Sequence, residues 1–186
     1  MQDDKVMGIL EHANKWLAGE IYEDMAIVVA GIVFLLLSIL AWRFGTSESA
    51  RAMVVPLLVA AVLIAGLGAG LAYNNHNRME QFAQQYDEAP QQFLESEKAR
   101  VDSFMKIYPQ TIIAASVMMT IGVCVFAFCS GVSLRASALV LVLVALTALT
   151  IDFFSKERVI IYQNAINSIQ IVETQASRDE ISSMDR

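Results

Sequence analysis

Asp, Glu, Lys, Arg and His are missing from four long stretches of this sequence, residues near 26–43, 53–73, 110–129 and 136–151, apart from Arg43 at the end of the first. A charged group at membrane depth is costly and normally marks an ion path, a proton relay or a substrate site. Their absence argues against a charged relay through these stretches and moves any chemistry to their ends. Cysteine is scarce as well, with only Cys124 and Cys129. Five residues on a helix rotate by about 500°, which leaves the two roughly 140° apart in projection, unable to close a disulfide or share a metal. They read as small apolar packing residues. Histidine is limited to His12 and His76, both outside the apolar stretches. A membrane-embedded haem would therefore find no ligand in a span, and neither cofactor nor metal is expected. Glycine-rich phosphate loops, zinc-ligand spacings and basic nucleic-acid patches are lacking too. A net charge of −6 and a pI near 4.9 further argue against a nucleic-acid partner.

What is present is apolar sequence in membrane-length blocks. The 186 residues are 56% hydrophobic with a mean hydropathy of +0.51. Met25 to Ala41 is apolar except for Gly31 and Ser38, and Met53 to Tyr73 holds no strongly polar residue. About 20 apolar residues cross the roughly 30 Å hydrocarbon layer. The sequence predicts an all-α membrane protein, a four-helix transmembrane bundle with amphipathic helices on one side. Residues 1–24 are polar and acidic with no basic leader, so a cleaved signal peptide is not expected.

Five segments follow. Residues 1–24 form an interfacial amphipathic helix: Val6, Leu10, Ala13, Leu17 and Ile21 recur at helical spacing beside Trp16. Such a helix lies on the bilayer surface before the chain turns inward, and Glu20, Glu23 and Asp24 end it near the headgroups. Residues 25–73 form a first transmembrane hairpin, with Trp42 and Arg43 at its boundary and Pro56 in the first turns of its second helix, where a missing N–H costs little. Residues 74–110 read as an extramembrane helical hairpin. Met79, Phe82, Ala83 and Tyr86 mark one face, Ala89 and Pro90 break it, and Phe93, Leu94, Val101, Phe104, Met105 and Tyr108 mark the other. Those aromatic faces need cover. Residues 111–154 form the second transmembrane hairpin, and residues 155–186 an amphipathic helix (Tyr162, Ala165, Ile166, Ile169, Val172) with a polar tail expected to fray from Glu173.

Small residues at Ala65, Gly66, Ala69 and Gly70 form overlapping small-xxx-small pairs, a candidate helix-packing face within the monomer or between subunits. A longer pattern recurs between the halves. Trp42, Gly45 and Ser47 answer Phe128, Gly131 and Ser133; Arg51 and Ala52 answer Arg135 and Ala136; Tyr73, Arg78 and Phe82 answer Phe153, Arg158 and Tyr162. This predicts two repeated helical hairpins about an axis along the membrane normal.

The chemistry available sits at the rim on the long-loop side. Asp152, Glu157 and Arg158 lie where the fourth span emerges, with Asp152 and Lys156 in the favourable order for an ion pair. His76 and Arg78 emerge from the second span at a matching depth, and Glu97 and Arg100 on the hairpin can reach them. Two readings stand: charges that fix helix depth and tie the hairpin down, or a polar pocket in which Arg78, Arg100 and Arg158 hold a small anion. Catalysis by His76, Asp152 or Glu157 is the weaker third, since no nucleophile with a base stands at readable spacing.

The residues Phe93, Glu97, Arg100, Val101 and Phe104, with Asp152, Phe153, Glu157, Arg158 and Tyr162, resemble an uncharacterised bacterial four-span membrane protein family. The resemblance implies a multi-pass protein of the bacterial inner membrane, with short arginine-bearing loops in the cytoplasm and both termini and the long connection in the periplasm. Raw counting of basic residues points the other way, with ten on the long side against Arg43, Arg51 and Arg135 on the short one. Taken together, the sequence reads as a non-catalytic interaction protein: an accessory or assembly subunit, or a toxin-immunity protein. Its partners would be the lipid bilayer and either a second protein or further copies of itself. The alternatives are a small oligomeric transporter or channel and a binder of a small anionic ligand at the membrane edge.

Overall fold

A computed structural model describes the backbone of residues 2–184 and most side chains from Glu11 to Ser168. Of the positions read from the sequence, the side chains of Val6, Leu10, His12, Ala83, Leu94, Ala165, Ile169 and Val172 lie outside the described set. Five helices account for nearly all of it: α1 (Gln2–Phe44), α2 (Glu48–Ala52), α3 (Val54–Glu88), α4 (Pro90–Phe128) and α5 (Val132–Met184). Among the described residues there is no strand. The helices α1, α3, α4 and α5 are each long and apolar enough to cross a membrane. Their apolar segments are residues 25–44, 54–73, 110–128 and 132–151; the remainder of each forms a polar, aromatic head.

The ends of the helices follow local chemistry. Ser47 caps α2, its hydroxyl accepting from the Ala50 N–H at 3.2 Å. At the far end of α3, Ala89 is extended (φ −154°, ψ 80°) because Pro90 disfavours a helical residue before it, and Pro90 itself starts α4. The hairpin break thus falls at Ala89–Pro90, where the sequence places it. Arginines close the opposite end of the molecule. Arg51 Nε donates to the Gly45 carbonyl at 3.2 Å and Arg135 Nε to the Phe126 carbonyl at 3.1 Å, covering acceptors that the ends of α1 and α4 leave open.

Two expectations change. Residues 1–24 do not lie across the bundle as a separate surface helix: α1 runs unbroken through Glu20–Asp24, and those acids face inward rather than ending it. The tail after Glu173 likewise continues α5 as far as Met184; Asp185 and Arg186 lie outside the described residues. In the first case the described part of the apolar face, Ala13, Trp16 and Leu17, is in phase with the helix it joins, so continuation buries it without a turn.

Helix α1 packs along α3, α5 packs along α4, and α1 meets α5 to join the two antiparallel pairs. Two buried clusters result. One fills the head with Ala13, Trp16, Leu17, Phe82, Phe93, Val101, Tyr108, Val159, Tyr162 and Ile166. The other lies near the short connections, with Phe34, Leu57, Ala60, Ala61 and Val140. Elsewhere in the apolar half large side chains point outward, Leu63 at 67% exposure and Ile113 at 63%.

Within the chain, the α1–α3 contact uses only part of the expected packing face. A Cβ on Gly31 would stand 2.6 Å from the Ala65 nitrogen, and one on Gly68 would stand 2.8 Å from the Asp24 carbonyl oxygen. Ala65 therefore takes part, but Gly66, Ala69 and Gly70 are exposed, and a Cβ at Gly66 or Gly70 would meet nothing within 4 Å. The reason is helical phase. Leu57, Ala61, Ala65 and Gly68 recur at intervals of four, four and three, and that stripe is the one turned to α1.

Candidate functional site

Of the rim residues, Asp152 lies where the apolar segment of α5 gives way to the head, while Glu97 and Arg100 lie inside the head cluster against Trp16, Phe82 and Tyr162. Part of the rim is a clamp. Arg100 donates through Nε to Glu97 Oε1 at 2.9 Å and through Nη2 to Glu97 Oε2. The Tyr162 hydroxyl donates to the same Glu97 Oε2 at 3.1 Å. The guanidinium also stands 4.2 Å from the Trp16 ring centroid, and Trp16 stacks on Tyr162 at 5.0 Å. With Glu97 only 3% exposed, this network ties α1, α4 and α5 together in a dry setting, where charge-assisted bonds are strong. The Glu97 carboxylate and burial both push the Tyr162 hydroxyl well above its ordinary range, burial being the larger cause, so it stays a donor. A second tie joins α5 to α1: Arg158 donates through Nη1 to the Gly19 carbonyl at 2.7 Å and pairs through Nη2 with Glu23 at 2.5 Å.

Beside the clamp is a cavity of about 430 Å³. Its head end is formed by Glu20, Glu23, Asp24 and Asp152 with Tyr108 and Ser155, and its walls by Ile27, Ile64, Leu67, Val144, Ala148 and Ile151. Tyr108 and Ser155 hydroxyls are 2.7 Å apart, and Asn75 donates to Asp24 Oδ2 at 2.8 Å. Glu20 is 8% exposed, and its Oε1 is buried with no hydrogen-bond partner among the described residues; the same holds for Asp152 Oδ2. Glu20 lies before the apolar segment of α1. Burial first, then the neighbouring Glu23 and Asp24 carboxylates, push its carboxyl from the ordinary 4.5 up to about 7.

The predicted rim residues divide accordingly. Glu97, Arg100 and Arg158 belong to the clamp and Asp152 to the cavity. Arg78 is half-buried within electrostatic reach of Glu97 and Arg100, while His76 and Glu157 are exposed and line no part of the cavity. The expected Asp152–Lys156 pair is absent among the described ion pairs: Lys156 stays in solvent while an oxygen of Asp152 is buried. Nor do the three arginines gather round an anion. Arg100 and Arg158 are bonded to carboxylates, and the cavity beside them is lined by acids. Sequence reading missed Glu20, Glu23, Asp24, Asn75, Tyr108 and Ser155. A signal for the first three was present, because Ala13, Trp16, Leu17, Glu20, Glu23, Asp24 and Ile27 share one helical face.

No family model, curated protein or solved structure matches the chain. The resemblance to a bacterial four-span family therefore rests on the rim and hairpin residues alone.

Proposed function

We propose that the chain is a non-catalytic integral membrane interaction protein, an accessory or assembly subunit or a toxin-immunity protein, that works through its helical head. On this reading it is a multi-pass protein of the bacterial inner membrane, with both termini and the α3–α4 hairpin in the periplasm. Its halves are two repeated hairpins, a reading favoured by the matching use of Arg51 and Arg135 to close the carbonyl ends of α1 and α4. The observation that carries the proposal is the clamp. Arg100 and Tyr162 bond to Glu97, and Arg158 bonds to the Gly19 carbonyl and to Glu23, so α4 is tied to α5 and α5 to α1 within the head. A rigid head of this kind presents a surface. At its tip a hollow between Gln85, Glu88, Gln92 and Phe93 offers exposed amides around an aromatic floor.

Photo-crosslinking residues placed at Gln85 and Gln92 in living cells test this. The expected result is one discrete product, the same from both positions, containing either a second protein or a second copy of the chain. No product from either position, together with solute or ion flux through the purified protein in liposomes, would replace the reading with a carrier or channel. Sidedness is checked separately with a cysteine at Gln92 in a chain lacking Cys124 and Cys129. Labelling by a membrane-impermeant thiol reagent in intact cells is expected, and labelling only after lysis would invert the orientation.

A further inference from the structure

The clamp leaves the cavity unused, and its two ends differ in chemistry. Of the four carboxylates at the head end, Glu23 is paired with Arg158 and Asp24 accepts from Asn75. Among the described residues Glu20 Oε1 and Asp152 Oδ2 are buried without a hydrogen-bond partner, and Glu20 as a whole is more than nine-tenths buried. Buried acceptors of this kind are uncommon in native proteins unless something outside the chain completes them. Four acids stand against the guanidiniums of Arg158 and Arg100, and Arg100 is already held by Glu97, so the sign of that something is positive. From Val144 to Ser155 the cavity follows α5 for about 16 Å at the helical rise, and its lower walls are aliphatic on both sides. A hydrated ion would leave those walls without a partner. Among the described residues, moreover, no group of three acids, histidines or cysteines is placed to hold a metal ion.

We propose that this cavity binds a primary ammonium group carried on an apolar chain, the ammonium between Glu20 and Asp152 and the chain lying between the α1–α3 and α4–α5 pairs. An ammonium brings three N–H donors, and Glu20, Asp152 and the Tyr108–Ser155 pair at the head end of the cavity supply acceptors for it. The chain covers apolar wall that would otherwise face solvent or lipid tails. A volume of about 430 Å³ is within the range of small-molecule sites. The same chemistry is found in a free alkylamine and in the headgroup of an aminophospholipid, and the head end of the cavity lies where either would arrive.

The test uses the full-length protein in a maltoside detergent and in phosphatidylcholine nanodiscs, with octylamine as probe and octanol, octanoate and methylammonium as controls. Calorimetric titration and the shift of the thermal unfolding midpoint are both read. Octylamine is expected to bind saturably, octanol and methylammonium roughly tenfold or more weakly, and octanoate not at all. Glu20→Gln and Asp152→Asn should each weaken octylamine binding by about tenfold while the protein stays folded. Ala148→Phe, which fills the apolar wall, is expected to weaken it without touching a carboxylate. Equal binding of octanol and octylamine, or octylamine binding unchanged in the Glu20→Gln, Asp152→Asn double variant, would overturn the proposal. Competition by phosphatidylethanolamine added to the nanodiscs would support it with a lipid as the source. Octylamine binding indifferent to that lipid would support it with a free amine.

Discussion

The apolar half and the head solve the same packing problem with different chemistry. In the apolar half, hydroxyls bond back to their own helix, as Thr120 does to the Ser116 carbonyl, Thr147 to Leu143 and Thr150 to Leu146. Among the described hydroxyls there, Ser38 reaches across, donating to the Val54 carbonyl at 2.8 Å. Close approach there depends on small residues, Gly31 against Ala65 and Gly68 against Asp24 and Val28. In the head, polar groups cross between helices: Tyr162 to Glu97, Gln163 to Asp102, Arg158 to the Gly19 carbonyl. Where side chains face an apolar surrounding, intrahelical bonding satisfies them at no cost in specificity; where water surrounds the outer face, a dry interior network can fix one arrangement of four helices. The cavity lies at the change from one regime to the other, and there two carboxylate oxygens belong to neither.

The contrast can be broken most severely in the head. Glu97→Ala leaves Arg100 buried and unpaired and is expected to lower stability by about 3–5 kcal/mol. Thermal unfolding in detergent, followed by Trp16 fluorescence in a Trp42→Phe background, reads this directly, since Trp16 is 5% exposed and Trp42 72%. Next comes the small-residue contact. Gly31→Ala and Gly68→Ala should each cost about 1–3 kcal/mol by forcing α1 from α3. Gly66→Ala and Gly70→Ala, facing open space, should be neutral or stabilising by about 0.5 kcal/mol. Circular dichroism melts of the four variants give the comparison, and a loss at Gly66 equal to that at Gly68 would place the contact elsewhere. Smallest is Ser38→Ala, about 1 kcal/mol for one cross-helix hydrogen bond, measured the same way.

Much of the architecture was legible in the sequence because apolar length and the Ala89–Pro90 break are local signals. Helical phase was also legible but underused. The pairs Gly66/Gly70 and Ala65/Ala69 match a spacing rule, yet the stripe that packs is fixed by its continuity with Leu57 and Ala61, and so falls on Gly68. The clamp residues Glu97, Arg100 and Arg158 stood out as charges beside aromatic faces. Glu20, Glu23 and Asp24 read in the sequence as a helix end at the headgroups, because acids before an apolar run resemble a boundary. Only the shared face with Trp16 and Leu17 distinguishes them. That Asn75, Tyr108 and Ser155 would meet them could not be read at all, since each comes from a different helix and the meeting depends on how the two pairs dock.

The junction holds two kinds of acid: those bonded within the fold, Glu23 and Asp24, and those that the proposed ammonium would complete, Glu20 and Asp152. Glu20 is the test case, facing Glu23 and Asp24 on α1, Asp152 and Arg158 on α5, and Arg100 on α4. Its carboxyl is raised from 4.5 to about 7, so the folded protein keeps a proton that the unfolded chain releases. Stability from this group is therefore complete below about pH 4.5 and lost as the pH rises through about 7. The deciding measurement is the unfolding midpoint of wild type and Glu20→Gln at about pH 5 and about pH 8, in amine-free buffer. The account predicts that wild type loses more stability than the variant between the two, so that Glu20→Gln equals or exceeds wild type at the higher pH. A variant less stable than wild type at about pH 8 would show that the charged Glu20 carboxylate holds the fold together, and would contradict the account.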